Sequence, residues 1–130
     1  MITLPSLING LPVTAIASEA FEGDYNAFDS VTVPNSITSI GAYAFTSCSL
    51  TNVFVGTGVT NIGNDAFANC DYMLRVYFLG NAPVCGTNLF AAESQATNYY
   101  LPYTTGWTSS FSAASTAPWY PPMPTLGITA

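Results

Sequence analysis

The sequence predicts an α/β repeat solenoid: a right-handed stack of short units with one parallel sheet of about five strands, short helical turns, and otherwise strand and loop. Three observations predict it. Ile37-Thr38-Ser39-Ile40-Gly41 returns 22 residues later as Val59-Thr60-Asn61-Ile62-Gly63, and Ala44-Phe45-Thr46-Ser47-Cys48 as Ala66-Phe67-Ala68-Asn69-Cys70. Short β-branched runs keep the same rhythm. A unit of this length cannot bury its own apolar face, so each must cover its neighbour.

In chain order, Ile2-Thr3-Leu4-Pro5 is read as the strand of an opening unit, followed by a longer connection through Asn9-Gly10. Val13 to Ile16 and Ala20-Phe21 are an earlier copy, 24 residues ahead of their counterparts, with Ala17 where later copies have Gly and Asp24 where they have Cys. Val31-Thr32-Val33-Pro34, Val53-Phe54-Val55-Gly56, Val76-Tyr77-Phe78-Leu79 and, more loosely, Tyr99-Tyr100-Leu101-Pro102 supply strands at offsets of 22, 23 and 23. Pro or Gly ends each strand, and Ala-Phe-x-x-Cys is read as a helical turn that tucks Phe inward. Phe21, Phe45 and Phe67 are expected to stack in register beside Ile16, Ile40 and Ile62. The division is residues 1–83 for the repeats, 84–116 for a C-terminal capping segment and 117–130 for a Pro-rich linker or tail. In the cap, Phe90, Tyr99, Leu101, Trp107 and Phe111 are expected to cover the last layer, and Ala91 to Gln95 to form a helical turn.

These motifs resemble the bacterial surface-type leucine-rich repeats called BspA-like, whose units read as strand, Pro, then V-T-x-I-G-x-x-A-F-x-x-C. The resemblance covers Ile2 to Pro83, and the segment after it is similar to the closing part of such an array. It implies a leucine-rich-repeat fold in a cell-surface or secreted bacterial protein that serves adhesion by binding an extracellular protein or glycan. The opening Met1-Ile2-Thr3-Leu4-Pro5 has neither the positive charge nor the apolar core of a signal peptide. The chain is therefore expected to be part of a larger multidomain protein.

Charge and composition exclude several functions. With one Lys or Arg against seven acids, the net charge is −6, so nucleic acid would be repelled. The same shortage of cations removes a polybasic route to membranes, and no apolar run is long enough for insertion. The chain has no His, and its one cation is Arg75, so a Ser or Cys nucleophile would lack its usual base and no enzyme is expected. Glu19, Glu22 and Asp24 form a cluster whose expected role is a solvated loop, in preference to a glycosidase carboxylate pair or a calcium site. Three cysteines at spacings of 22 and 15 match no zinc pattern, and no metal or cofactor is expected. Cys48 and Cys70 are expected as buried reduced thiols one layer apart, with Cys85 outside the repeat. Gly56-Thr57-Gly58 lacks the context of a phosphate loop and is read as a turn.

Strand alternation nominates the binding surface. If Val31, Val33, Val53, Val55, Val76 and Phe78 face the core, the residues between them form two outward rows. One runs Thr32, Phe54, Tyr77, Tyr100 and the other Ser30, Asn52, Arg75, Asn98. Phe54, Tyr77, Tyr100, Asn52, Arg75 and Asn98 are thus the candidate ligand-binding residues, combining flat apolar area with oriented donors. The competing function is a structural spacer that projects other domains and has no ligand. In that case the rings serve only to stabilise the sheet.

Overall fold

The computed structural model describes residues 1–25, 28–90 and 95–121. Its strands in order are β1 (Ile2–Thr3), β2 (Leu7–Ile8), β3 (Leu11–Pro12), β4 (Ala15–Ile16), β5 (Ser30–Val33), β6 (Ser39–Ile40), β7 (Asn52–Val55), β8 (Asn61–Ile62), β9 (Arg75–Phe78), β10 (Val84–Cys85), β11 (Thr97–Tyr100), β12 (Ser110–Phe111) and β13 (Ala114–Pro118). The main sheet has seven strands in the order β1-β5-β7-β9-β11-β13-β12, parallel except where β12 turns back on β13. A second ladder, β10-β8-β6-β4, is also parallel. Strands β2 and β3 form a hairpin whose turn, Asn9-Gly10, takes positive φ at both residues, the twist that a two-residue hairpin requires.

The five expected strands correspond to β1, β5, β7, β9 and β11, and the sheet continues two strands beyond them. Ala117 and Pro118, at the start of the expected tail, pair with Tyr99 and Tyr100. Pro118 is tolerated because β12 reaches only Ser115 and Ala114, leaving Pro118 with no neighbour on its outer side to need an N–H. The repeats extend further as well. Cys85 pairs with Ile62, so it continues the column Ile16, Ile40, Ile62, and Gly86 follows it as Gly63 follows Ile62.

The helical turns are a correction. Among the described residues no helix is present, and the expected turn from Ala91 to Gln95 lies outside them apart from Gln95. The Ala-Phe segments are flat arches whose amides alternate in direction. Ala44, Thr46 and Cys48 donate three residues back within their own layer, to Gly41, Tyr43 and Phe45, at 3.2 to 3.3 Å. Tyr43, Phe45 and Ser47 donate across to Asn64, Ala66 and Ala68 of the next layer, at 2.8 to 3.0 Å. A helix would satisfy these groups internally and leave the arches of successive layers without bonds to one another. Tyr43, Ser47, Asp65 and Asn69 take positive φ, one residue in every four along each arch.

This lattice holds the layers close, which explains the glycines. A Cβ on Gly41 would lie 2.7 Å from the carbonyl carbon of Ala17, and one on Gly63 would lie 2.8 Å from the Cα of Ala42. Ala17 occupies the same position in the first layer, where it is exposed just after β4, the edge strand of the second ladder.

Inside the arches Phe21, Phe45, Phe67 and Phe90 stack face to face, with centroids 5.1, 5.4 and 6.0 Å apart, and the expected isoleucines lie in their own column. Phe45 and Phe67 are fully buried. The cysteines complete the column: the thiol of Cys48 donates to the Phe21 carbonyl and that of Cys70 to the Phe45 carbonyl, each at 3.0 Å. Burial pushes the Cys48 thiol from 9.0 up to about 11, helped by the Asp24 carboxylate, although a hydrogen bond to the Asp24 backbone works the other way. Polar steps join the loops, since Asn35, Asn64 and Asn81 each accept a backbone N–H of the next layer, from Thr57, Thr87 and Thr105, at 2.8 to 2.9 Å.

Three outcomes are expected in urea titrations. Phe45→Ala should lose about 3 to 5 kcal/mol through the cavity it leaves. Gly41→Ala should lose at least about 2 kcal/mol, because backbone must shift to admit the methyl, whereas Ala17→Gly should lose no more than about 1 kcal/mol. A Gly41→Ala protein as stable as the parent would show that the layers are not in contact there. The Cys48 thiol contributes stability below its unfolded pKa of 9.0 that is lost as pH rises through about 11. Between those values the parent should therefore lose stability faster than Cys48→Ala, and equal pH slopes would refute the buried thiol.

Candidate functional site

The outward face of the main sheet is set by the core on its other side. Val31, Val33, Val53, Val55, Val76 and Phe78 are at most 1% exposed, so Thr32, Phe54 and Tyr77 project the opposite way. Phe54 lies in register with Tyr77 because β7 pairs with β9. Their rings stack at 4.8 Å with 8° between planes, close to the spacing of the strands themselves.

The register of β11 corrects the third ring. Tyr99, not Tyr100, pairs with Tyr77, and the two rings stack at 5.2 Å. The true offset is one residue shorter than the sequence comparison assumed, and a shift of one residue exchanges the two faces of a strand. Asn98 therefore pairs with Val76 and is completely buried, and its Nδ2 donates to the carbonyl of Phe111 at 3.3 Å. Tyr100 pairs with Phe78 and stacks on Trp107 at 5.4 Å, on the inner side. The large rings of Trp107 and Phe111, both packed on Phe78, occupy the interior at this end and make room for Tyr100 among aromatic neighbours. Neither Asn98 nor Tyr100 belongs to the outward surface.

Asn52 and Arg75 do lie in the second row, in register with each other, and Thr97 takes the place assigned to Asn98. Arg75 is exposed. Asn52 donates through Nδ2 to the Thr51 hydroxyl at 3.2 Å, and its Oδ1 is shielded from solvent.

Sequence reasoning missed the next member of the surface, Trp119. Its N–H donates to the Tyr100 carbonyl at 2.7 Å, extending the strand pairing by one residue, and its ring packs on Tyr77 at 4.8 Å and 56°. Trp119 also lines an open hollow of about 550 Å³ with Leu101, Pro102, Tyr103, Tyr120 and Pro121. Tyr103 and Tyr120 are 80% and 74% exposed. The aromatic surface thus runs from Phe54 through Tyr77 and Tyr99 to Trp119 and into this hollow. The signal for it lay in Trp119-Tyr120 within a segment whose prolines gave it the character of a linker.

Because the ladder rings turn their faces to one another, they offer solvent mainly edges and the hydroxyls of Tyr77 and Tyr99. Flat faces are available only at its ends: Phe54 toward Thr32, and the tilted Trp119. Elsewhere, Glu19, Glu22 and Asp24 are exposed on the first arch. Among the described residues no three His, Cys, Asp or Glu side chains cluster as metal ligands, and no helix is long and apolar enough to cross a membrane.

The family model described as "BspA type Leucine rich repeat region" matches residues 6–115 in six copies. The crystal structure of a leucine-rich repeat protein of T. pallidum, TpLRR, superposes with a TM-score of 0.70 at 26% identity. The match covers 90% of this chain and 50% of that one, so this chain corresponds to half the length of TpLRR. No curated protein matches the sequence.

A double-mutant cycle measures how far the ladder is structural. Phe54→Ala and Tyr77→Ala should each destabilise the chain, with a coupling of about 0.5 to 1.5 kcal/mol between them. Strictly additive losses would mean the rings are not stacked in solution.

Proposed function

The chain belongs to the BspA-type leucine-rich repeat family, and on that footing we propose that it is a non-enzymatic module that binds another protein through the outward face of its main sheet, in an extracellular adhesion role. The observation that carries the reading is the continuous aromatic surface from Phe54 to Trp119 and the hollow bounded by Tyr103 and Tyr120. Surfaces rich in Trp and Tyr, half-covered by their neighbours and opening into a pocket, are typical binding hot spots. Membership of the family supports a cell-surface setting, and the repeat architecture supports a rigid sheet on which such a patch keeps its shape.

Protein is favoured over glycan by ring orientation. A sugar stacks its flat apolar face on an open ring face, and the ladder presents edges; edges and hydroxyls suit the mixed apolar and hydrogen-bonding contacts of a protein surface. The spacer reading draws on the same stacking, because each cross-strand aromatic pair contributes about 0.2 to 1 kcal/mol to the sheet whether or not anything binds. A spacer would lose only stability when a ring is removed.

The test is an array of immobilised extracellular-matrix proteins and glycans probed with this chain and with Tyr77→Ala and Trp119→Ala. Retention on a matrix protein is expected, with each substitution weakening it about thirtyfold, the effect of a 2 kcal/mol hot spot. Retention by glycans alone would reverse the choice of ligand. Protein binding unchanged in both variants would move the site off this sheet.

A further inference from the structure

We infer that the protein bound by this face presents a carboxylate, held by Arg75, beside the apolar group that meets the aromatic ladder; the inference rests on the reading above that this face is the binding surface. The chain has one Lys or Arg against seven Asp and Glu, and that cation stands on the outward face of β9, two residues before Tyr77. Arg75 is exposed and makes no ion pair among the described residues, where the amino terminus and Asp29 form the pair. Its register neighbours, Asn52 and Thr97, are neutral.

The six acids among the described residues lie elsewhere. Every outward position of β5, β7, β9, β11 and β13 is free of carboxylate. Glu19, Glu22, Asp24 and Asp65 occupy the arches, Asp71 the loop before β9, and Asp29 the entry to β5, two strands or about 10 Å from the strand of Arg75. Among the described residues the molecule is thus acidic around a face whose single charge is positive. A carboxylate-bearing partner is repelled over most of the surface and accepted here, so the pairing selects and orients and does little to speed encounter. The guanidinium fork suits a planar carboxylate. Residues two apart on a strand are about 7 Å apart. An extended partner segment with an acid two positions from an aromatic or aliphatic anchor therefore places the acid on Arg75 and the anchor by Tyr77 and Trp119.

The test pans a displayed random dodecapeptide library on this chain, on Arg75→Gln, on Arg75→Glu and on Tyr77→Ala, with circular dichroism melts to confirm that each variant is folded. Peptides retained by the parent should be enriched in Asp or Glu near an apolar residue. That enrichment should vanish on Arg75→Gln and give way to Lys or Arg on Arg75→Glu. A synthetic acidic peptide from the selection should bind Arg75→Gln about fivefold more weakly, the upper range for an exposed pair, and lose affinity as salt rises. Peptides that need Tyr77 but show no acidic enrichment and no dependence on Arg75 would overturn the inference while leaving the sheet as the site. Peptides indifferent to Tyr77→Ala would overturn the sheet reading itself. A hyaluronan oligosaccharide held through Arg75, with no peptide so held, would assign the cation to an acidic glycan and overturn the protein partner.

Discussion

The contact between successive layers is the constraint on which the rest of the structure depends. A unit of some 22 residues has too little interior to stand alone, so the arches must give half their amides to the next layer. That arrangement comes with positive φ at every fourth position, which Tyr43, Ser47, Asp65 and Asn69 accept, and closeness that tolerates no side chain at Gly41 and Gly63. Phenylalanine stacking is a consequence: once the arches lie one strand spacing apart, one ring per layer fills the space between arch and sheet.

The same spacing generates the candidate site. Side chains at equivalent positions are held about 5 Å apart whether they point inward or outward, so a ring repeated on the outer face becomes a ladder as readily as Phe45 and Phe67 do within. Inside, the ladder is sealed by the arch. Outside, nothing in the described chain covers Tyr77, Tyr99 and Trp119 fully, and the last layers broaden the patch with Tyr103 and Tyr120. Function is proposed to reside where the repeat degenerates, because the departures from the repeat pattern bring in aromatic residues that the architecture does not require.

Charge follows a similar division. The arches and loops face solvent and carry the acids of the described residues. The sheet face, whose outward positions are otherwise Ser, Thr, Asn, Ala and aromatic, carries Arg75, and this separation gives the face a chemical identity distinct from the rest of the molecule.

The sequence by itself determined the solenoid, the main-sheet strands from Ile2 to Phe78, the inward valines and phenylalanines and the outward pair Phe54 and Tyr77, because a repeated pattern of period two within period 22 leaves a strand one way to face. It misled on the arches, where Ala-Phe-x-x-Cys has the composition of a helical turn and only the neighbouring layer supplies the acceptors that hold it flat. It was silent on β13, since Ala-Ser-Thr-Ala-Pro becomes a strand by pairing with β11 and not through its own propensity. Tertiary structure also decided which of two adjacent tyrosines faces outward. Tyr99 and Tyr100 are equivalent in isolation, and the interior filled by Trp107 and Phe111 draws Tyr100 in, buries Asn98 and leaves Tyr99 to stack on Tyr77.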